Sequence, residues 1–501
     1  MNAKKQPKKD PKDKPEHAVP WLERSHVGIA LLLGLGLFFW LCFALAGTFS
    51  APEERITGVD PVAYYAWMRS LAFDGDLDFE NEYRTLVPKE ALAEGSPVDP
   101  DGARTATGRV PNVFSIGPGL LWAPFVAMGH LAAKMSGLPA DGFSQPYHTA
   151  VFLANIVYGT LGALLVFGAL RAWWGRRIST LAAIGAWACS PALYYTFAQE
   201  AMSHACSFFT MALFLCAWLH LRKRETWWGW TLIGAALGLA ALVRWQNATF
   251  AVIPAIDLLW KTDRRKIGRL AVCAAATVLV FSPQMAGWHV LYGSPVTLPQ
   301  GQGFMTWLRP AILHVLFSAQ EGLFTWTPLM AAGVIGLFLW PKTEKKAYVA
   351  MVVAVLIQVY ISACAGEAGW SFGMRRLVNC TPFFGIGLAT LLSRFMTGKP
   401  AWAAFILAAC TAWNALFAMQ YGGLLDMLYV NEALHVLSEQ HNVPVDALTN
   451  MEKLPDGTPF NIEEFVQTHR FPRDRAPTFS QFTTDKLTVL IVFVRRLLGM
   501  G

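Results

Sequence analysis

Long apolar segments recur along this chain, and every second one is followed by a cluster of basic residues. A run of about 20 apolar residues is long enough to cross the hydrocarbon core of a bilayer as a helix. Cytoplasmic loops of membrane proteins carry the excess of Lys and Arg, so the clusters indicate on which side each loop lies. The five clusters are Arg171/Arg176/Arg177, Arg222/Lys223/Arg224, Arg264/Arg265/Lys266/Arg269, Lys342/Lys345/Lys346 and Arg394/Lys399. A single alternation with a cytoplasmic N-terminus satisfies all five.

This alternation predicts an all-α polytopic membrane protein with about eleven transmembrane helices, or twelve. Only 15% of the residues are charged and 54% are hydrophobic, whereas a soluble domain carries about 25% charged residues. The last segment, KLTVLIVFVRRLLGMG, is either a twelfth span or a helix that lies on the membrane. The predicted spans are 27–48, 147–170, 178–198, 204–221, 227–243, 247–260, 268–287, 323–340, 347–364, 377–395 and 401–420.

The chain therefore divides into five segments. Its first 16 residues hold six lysines, which is typical of a disordered cytoplasmic tail that lies against anionic lipid. Because an apolar span follows within about ten residues, we expect membrane lipid and no nucleic acid as the partner of this tail. The segments are a basic tail (1–26), a first transmembrane helix (27–48), an outer loop with juxtamembrane helices (49–146), a helix bundle (147–420) and an outer C-terminal cap with a terminal interfacial or transmembrane helix (421–501).

The first outer loop is acidic and contains one apolar stretch. Residues 51–112 hold twelve Asp and Glu against six Lys and Arg. The stretch 117–137 is apolar enough to resemble a span, but a span there would place the Arg171 cluster outside. We therefore expect it to form an interfacial helix.

Metal and modification motifs are weak. The eight cysteines show no CxxC spacing and predict neither a metal site nor a disulfide framework. The run Asp74-Gly-Asp76-Leu-Asp78 resembles a calcium loop but has Phe79 at its sixth position, where such a loop needs Gly. We expect no cofactor, with a divalent metal at these acids as the alternative. The sequons at Asn247 and Asn379 lie at span edges, too close to the bilayer for glycosylation.

Three arginines depart from the charge pattern because they lie at the outer ends of spans. Arg244 follows one span, and the pair Arg375 and Arg376 precedes another. They either reach lipid headgroups or bind an anionic ligand, since guanidinium groups form bidentate contacts with phosphate. Trp245 and Trp370 flank them and would suit an apolar ligand beside the phosphate.

Asp60 opens a helix-like run in the first outer loop that also contains Tyr64, Tyr65 and Arg69. Because Pro61 follows it, Asp60 is suited to cap this helix. It is equally suited to act as a general base at the membrane surface, and both roles can hold at once.

A second acid lies near a histidine in the short outer turn AQEAMSHACS. Glu200 and His204 are four residues apart and would share one face if a helix begins there. The histidine is either a hydrogen-bonded packing residue or a group that positions a substrate.

Taken in order, these features resemble the GT-C glycosyltransferases. The resemblance rests on the inside N-terminus, the early Asp60, the interfacial stretch and the segment GALLVFGALRAWWGRRISTLAAIGAWACSPALYYTFAQEAMSH. It is nearest to the branch of lipid A aminoarabinose transferases, protein O-mannosyltransferases and rhizobial galacturonosyltransferases. The pattern covers about residues 27–260. The sequence departs from it in an insertion at about 85–110 and in Glu200 or His204, which stand where much of the branch has an aspartate.

The resemblance implies an inverting transferase that moves a sugar from a polyprenyl-phosphate donor to an acceptor outside the membrane. On this sequence, Asp60 matches the first-loop acid that serves as base. The donor phosphate is then assigned to Arg375, Arg376 and Arg244. The expected location is a bacterial inner membrane, with the site on the periplasmic side. The residues expected to bind substrate are Tyr64, Tyr65, Arg69, Glu200, His204 and Trp370.

Two other functions compete with this interpretation. A flippase or transporter would carry polar residues within its spans and often interrupted helices near the midplane. An O-antigen polymerase or ligase usually concentrates basic residues in a large late loop, whereas the large loop here is early and acidic. Both alternatives are less favoured because the exceptional charges cluster at the outer ends of the spans.

Overall fold

The computed structural model describes the first span, the first loop, the helix bundle and part of the C-terminal region. The basic tail and nearly all of the last segment, including the question of a twelfth span, lie outside the described residues. The described residues are 25–45, 56, 58–87, 96, 98–199, 201–260, 263–301, 303–318, 320–340, 344–365, 371–395, 400–421, 426–448, 451–462, 465, 490–491 and 494.

Helices account for almost all regular structure in this part of the chain. Two short 3-10 helices adjoin the arginines that depart from the charge pattern: Trp245–Ala251 follows Arg244, and Arg375–Cys380 begins with Arg375 and Arg376. A further 3-10 turn, Arg222–Arg224, follows α8, and a π-helix spans Ser70–Asp74. The α-helices are α1 (Ser25–Leu45), α2 (Val59–Arg69), α3 (Glu80–Leu86), α4 (Gly117–Met135), α5 (Gln145–Leu170), α6 (Arg176–Ala188), α7 (Ala192–Phe197), α8 (Ser203–Leu221), α9 (Trp227–Val243), α10 (Val252–Leu259), α11 (Arg264–Tyr292), α12 (Ile312–Phe317), α13 (Leu323–Trp326), α14 (Leu329–Phe338), α15 (Lys345–Cys364), α16 (Thr381–Phe395), α17 (Pro400–Met419), α18 (Asp426–His441) and α19 (Val445–Leu448).

Six helices within the described residues are long and apolar enough to cross a membrane, which confirms the all-α polytopic membrane class. They are His26–Leu45, Gln145–Leu170, Ser203–Arg224, Arg264–Tyr292, Lys345–Cys364 and Ala401–Met419. The other five predicted spans also coincide with helices. One of them, α9, is a shorter apolar helix. The α-helix is interrupted in the remaining four: two are broken between two α-helices, and two begin as a 3-10 helix that continues directly into an α-helix.

Two of the interruptions occur at proline. The predicted span 178–198 breaks between α6 and α7 at Ser190–Pro191, and the predicted span 323–340 breaks between α13 and α14 at Pro328. Proline has no N–H to donate and its ring clashes with the preceding turn. The carbonyls freed at the first break accept hydrogen bonds from Asn414 Nδ2, at 2.9 Å from Ala188 O and 3.0 Å from Ser190 O. The break is therefore satisfied inside the bundle, as a buried break must be in lipid.

Close helix packing depends on glycine at two crossings. A Cβ on Gly387 of α16 would collide with the backbone of Gly333 in α14, and a Cβ on Gly234 of α9 would collide with the backbone of Cys273 in α11. Small residues let helix backbones approach closely in membranes, where van der Waals packing replaces the hydrophobic effect between helices.

The bundle has two chemically different ends. Ion pairs at one end join Arg222 of the α8 terminus to Asp257 of α10 (3.5 Å) and to Glu344 before α15 (2.7 Å). We call this the basic end, because α6, α11 and α15 begin there in basic residues and α16 finishes there with Arg394. The first loop and a large cavity lie at the opposite end, which we call the cavity end.

Candidate active site

A cavity of about 1020 Å³ opens at the cavity end of the bundle, between the helices and the first loop. Its charged lining comes from α2 (Asp60), from the first loop (Asp99 and Asp101), from Arg244 at the end of α9, and from the 3-10 helix that begins with Arg375 and Arg376. Its polar and charged lining includes Asp60, Tyr64, Ser96, Asp99, Asp101, Ser115, His204, Arg244, Gln246, Gln300, Ser362, Arg375 and Arg376. Six of the predicted site residues therefore line one cavity: Asp60, Tyr64, His204, Arg244, Arg375 and Arg376.

Asp60 and Arg375 form an ion pair in this cavity. Arg375 Nη1 lies 3.1 Å from Asp60 Oδ2, and both side chains are partly exposed. Asp60 is the second residue of α2, and the capping position before the helix belongs to Gly58, whose φ of 83° suits glycine. The alternative in which Asp60 caps the helix is therefore incorrect, and its carboxylate faces the cavity instead.

Arg244 is held by a chain of hydrogen bonds at the beginning of α8. Its Nη1 lies 3.0 Å from His204 Nδ1 and donates to Ser203 Oγ at 3.3 Å. Ser203 Oγ in turn donates to the Tyr64 hydroxyl at 2.9 Å. Because a guanidinium is always a donor, His204 Nδ1 must accept, and the imidazole is neutral in this arrangement.

Arg376 lies against the end of α15. Its Nη1 donates to the carbonyl oxygens of Ala365 at 2.9 Å and Ser362 at 3.4 Å. The carbonyl of Arg376 accepts from Gln246 Nε2 at 3.1 Å, and Gln246 Oε1 accepts from Arg244 Nη2 at 3.2 Å. The segments that carry Arg244 and Arg376 are thus tied together through one glutamine.

The first loop forms the opposite wall of the cavity and is fixed to the bundle. Thr107 Oγ1 donates to Leu291 O at 2.6 Å, and Asn112 N donates to the Tyr292 hydroxyl at 3.2 Å. Gln300 Nε2 donates to Val113 O at 3.0 Å. Asp101 is held by Arg84 through two hydrogen bonds of 2.6 and 3.2 Å. Within the insertion noted at 85–110, the described residues Ser96, Asp99 and Asp101 therefore line the cavity, and Asp101 and Thr107 anchor this part of the loop.

Tyr65 and Arg69 do not reach the cavity. The Tyr65 hydroxyl donates to Gly142 O at 2.7 Å. Arg69 is buried, pairs with Asp74 and with Glu82 Oε1 (3.0 Å), and stacks on Phe143 with its guanidinium carbon 4.1 Å from the ring centre. These two side chains hold the first loop together. Burial raises the pKa of Glu82 from 4.5 to about 7.

Glu200 and Trp370 lie outside the described residues. Helix α8 begins at Ser203, and the pairing of Glu200 with His204 stays a prediction. Among the described residues, His204 contacts Arg244.

Several lining residues were not expected from the sequence. Gln246 follows Arg244 by two positions and could have been suggested by that proximity. Asp99 and Asp101 lie in the insertion, and their acidity was noted only as part of the whole loop. Gln300, Ser115 and Ser362 carry no local signal, because only the folded chain brings them to the cavity.

No group of three or more His, Cys, Asp or Glu in the described part of the chain is arranged to hold a metal ion. In the acidic run, Asp74 pairs with Arg69, and Asp76 Oδ1 accepts from Ser70 Oγ at 2.8 Å and from Asp78 N at 3.0 Å. These contacts stabilise a turn.

Comparisons with known proteins give distant structural likenesses. No family model matches the chain, and no curated protein matches its sequence. A crystal structure of ArnT from Cupriavidus metallidurans bound to undecaprenyl phosphate matches with 13% identity and a TM-score of 0.49, over 95% of this chain and 78% of that one. AglB, an archaeal oligosaccharyltransferase from Archaeoglobus fulgidus in complex with an inhibitory peptide and a dolichol-phosphate, matches with 13% identity and a TM-score of 0.47. The AglB match covers 90% of this chain and 61% of AglB. Both matched proteins are GT-C glycosyltransferases, the superfamily that the sequence resembles, and at these TM-scores no donor, acceptor or residue role passes from them to this chain.

Proposed function

We propose that this chain is an integral membrane glycosyltransferase that uses a sugar donor carried on a polyprenyl phosphate. The observation that carries the proposal is one cavity at the end of a membrane bundle, lined by a carboxylate and three arginines. Cations suit a phosphate that gains charge as it leaves, and a carboxylate suits an acceptor that loses a proton. The cavity end is proposed to face the outer side, opposite the basic end.

In the proposed reaction, an acceptor hydroxyl attacks the anomeric carbon of the sugar from the side opposite the phosphate. A new bond forms between the acceptor oxygen and the sugar while the bond between the sugar and the phosphate oxygen breaks, so the configuration inverts. The electron pair leaves with the polyprenyl phosphate, and Asp60 accepts the acceptor proton. Arg375, Arg376 and Arg244 stabilise the leaving phosphate.

The ion pair between Asp60 and Arg375 has a place in this mechanism. A carboxylate oxygen that accepts from a guanidinium is less available to accept a proton from an acceptor hydroxyl. When the donor phosphate engages Arg375, the Asp60 carboxylate is released toward the acceptor. Binding of the donor would thus free Asp60 to act as the base, whereas in a cavity without a donor Asp60 would remain paired with Arg375.

The test uses purified protein and a panel of polyprenyl-phosphate sugars, scored for donor consumption and for sugar transfer to water or to an added acceptor. One donor should be consumed by the wild type, and Asp60→Asn should lower that turnover by about 10²- to 10⁴-fold. Asp263→Asn is the matched control. Asp263 caps α11 at the basic end, and Asn caps equally well. Normal turnover in Asp60→Asn would exclude Asp60 as the base.

A transporter of lipid-linked glycans is the second candidate, because four predicted spans are interrupted. Interrupted helices are common in transporters, where they line a central site. Here the two 3-10 helices lie at the cavity end, next to the first loop. Movement of a labelled lipid in liposomes without consumption of any donor would favour the transporter.

A further inference from the structure

A cluster of buried polar side chains lies next to the arginine-bearing segments, inside the bundle. Asn247, Gln358 and Ser207 are fully buried, and Asn379 is 1% exposed. None of these four side chains lines the cavity of the candidate site. Polar groups inside a membrane bundle are costly unless they are hydrogen-bonded, and they frequently have a function.

Asn379 joins three elements. Its Nδ2 donates to Asn247 Oδ1 at 2.8 Å and to Gln358 Oε1 at 2.9 Å. Asn379 belongs to the 3-10 helix that begins with Arg375 and Arg376, whereas Asn247 belongs to the 3-10 helix that follows Arg244. One side chain therefore links the two segments that carry cations, and links both to α15.

Asn247 fixes the point at which Arg244 leaves α9. Its Nδ2 donates to Ala240 O at 2.9 Å and to Ser207 Oγ of α8 at 3.2 Å. Ala240 O also accepts from the backbone N–H of Arg244 at 3.1 Å. The Ala240 carbonyl, in the last turn of α9, is thus shared between the backbone of Arg244 and the cluster.

Gln358 completes the connection from α15. Its Nε2 donates to Gln246 O at 3.3 Å and to Thr249 Oγ1, and its Oε1 accepts from Gln246 Nε2 at 3.3 Å. Since Gln246 also contacts Arg244 and Arg376, the cluster is connected to both arginines through hydrogen bonds.

We propose that Asn379, Asn247 and Gln358 are positioning residues that hold Arg244, Arg375 and Arg376 at fixed distances from one another. This inference rests on the proposed function. A fixed set of donors stabilises charge without rearrangement during the reaction, and a shift of about 1 Å can lower a rate by about 100-fold. Apolar side chains would fill the same space but would not fix the backbone of two non-helical segments.

The test compares Asn379 with a second buried amide. Asn379→Asp keeps the shape but loses both donated hydrogen bonds, and Asn379→Leu replaces the amide with an apolar group of similar volume. Asn414→Asp and Asn414→Leu are the matched controls, because Asn414 is 2% exposed and also donates two hydrogen bonds, but at the break between α6 and α7. Binding of a polyprenyl phosphate and of the uncharged polyprenol is measured for each variant, together with Tm.

The Asn379 variants should lower the preference for phosphate over polyprenol by about tenfold or more, whereas the Asn414 variants should keep it within about twofold. Both pairs should lose thermal stability, so Tm alone does not separate positioning from packing. An unchanged phosphate preference in folded Asn379 variants would overturn the proposal. If the Asn379 variants do not fold, Thr249→Val provides the same test of phosphate preference, because it removes the hydrogen bond from Gln358 while keeping the shape of the side chain.

Failure of this inference differs from failure of the proposed function. A wild-type protein that binds polyprenyl phosphate no better than polyprenol would remove the proposed function itself. A wild type with clear phosphate preference, together with Asn379 variants that match the Asn414 controls, would remove the positioning role alone.

Discussion

Arg375 has a carboxylate partner in the cavity before any ligand arrives. The ion pair with Asp60 spans 3.1 Å, and the side chains are 21% and 25% exposed. Because the pair is partly exposed, water and salt screen it more than they would a fully buried pair. A ligand phosphate can therefore replace Asp60 as the partner of Arg375 at a small cost in free energy. The ion pair is suited to a change of partner on ligand binding rather than to stabilising the fold.

Replacing Arg375 should separate the requirement for charge from the requirement for shape. Under the proposed function, we expect Arg375→Ala to reduce kcat/KM for the donor by about 100-fold or more, as loss of a donor to a developing charge does in other enzymes. Arg375→Lys keeps the charge but loses the bidentate contact and should recover only part of the activity. Arg394→Ala, at the exposed far end of α16, is the control. Equal kinetics for wild type and Arg375→Ala would show that Arg375 only meets lipid headgroups.

Asp60 should weaken phosphate binding while it supports catalysis. Asp60→Asn removes the carboxylate that competes for Arg375, so we expect tighter binding of a polyprenyl phosphate, by about fivefold for a gain of about 1 kcal/mol. Calorimetry or native mass spectrometry would measure this change, with Asp263→Asn as the control. Weaker binding in Asp60→Asn would contradict the competition.

Cavity residues could be predicted from the sequence where the distribution of charge indicated them. They could not be predicted where the rotation of a helix about its axis decides which side chains face the cavity. Arg244, Arg375 and Arg376 were found because arginine at the outer end of a span departs from a simple charge pattern. Tyr64 and Tyr65 are adjacent in the chain, yet one lines the cavity and the other bonds to Gly142. The face of α2 that turns to the bundle depends on tertiary packing, which spacing alone does not give.

At the scale of elements, the interrupted spans are the main difference between the predicted and observed helices. Proline marks two of the breaks in the sequence, at Pro191 and Pro328, and local chemistry explains them. The 3-10 helices that adjoin the arginines have no such mark. Their residues Asn247 and Asn379 bond to each other, and Asn379 bonds to Gln358, only after three distant segments fold together.

The first loop should become less stable as pH rises through neutrality. Glu82 has a fully buried side chain, and the rise of its pKa from 4.5 to about 7 means that the folded loop binds a proton that the unfolded loop has lost. The protonated Glu82 carboxyl stabilises the folded loop fully below pH 4.5, and this stabilisation is lost as pH rises to about 7. The loss corresponds to roughly 3 kcal/mol of unfolding free energy. Glu82→Gln, which resembles the protonated acid, should remove this dependence, as Tm measured from pH 5 to 8 would reveal.

Glu80 provides a control of opposite sign for this experiment. Its hydrogen bonds with Arg104 and Arg84 lower its pKa, so its contribution is present at neutral pH and is lost as pH falls. Glu80→Gln should therefore lose more Tm relative to wild type at pH 8 than at pH 4. A pH dependence unchanged by Glu82→Gln would show that Glu82 is not the group that titrates.

At the scale of the whole molecule, charge separates along the helix axes. Each of α8, α11, α15 and α16 has basic residues at or beside one end, and its other end lies near the cavity or the loop segment that lines it. The sequence predicted this alternation because basic clusters are spaced by pairs of spans. It did not predict the cavity, since its walls come from segments as far apart in the chain as Asp60 and Arg376.

Single cysteines at the two ends should label from opposite sides of the membrane. Ala106 is exposed on the first loop, and Arg224 is exposed beyond α8 at the basic end. In right-side-out vesicles, an impermeant maleimide should react with Ala106→Cys at once and with Arg224→Cys only after detergent is added. The parent protein is the control, because its eight cysteines are buried or partly buried. Reversed labelling would place the cavity on the cytoplasmic side.

The anchored first loop also places acidic side chains in the same cavity as the arginines. Residues 51–112 carry six more acidic than basic side chains, and Asp99 and Asp101 stand on the cavity wall that the loop provides. A dissolved phosphate or nucleotide that diffuses in across this wall meets a repulsive potential before it meets a cation. An anion already embedded among lipids travels along the leaflet and avoids that barrier. Under the proposed function, we therefore expect the loop to disfavour water-borne anions and to leave open the route of anions that the membrane itself delivers.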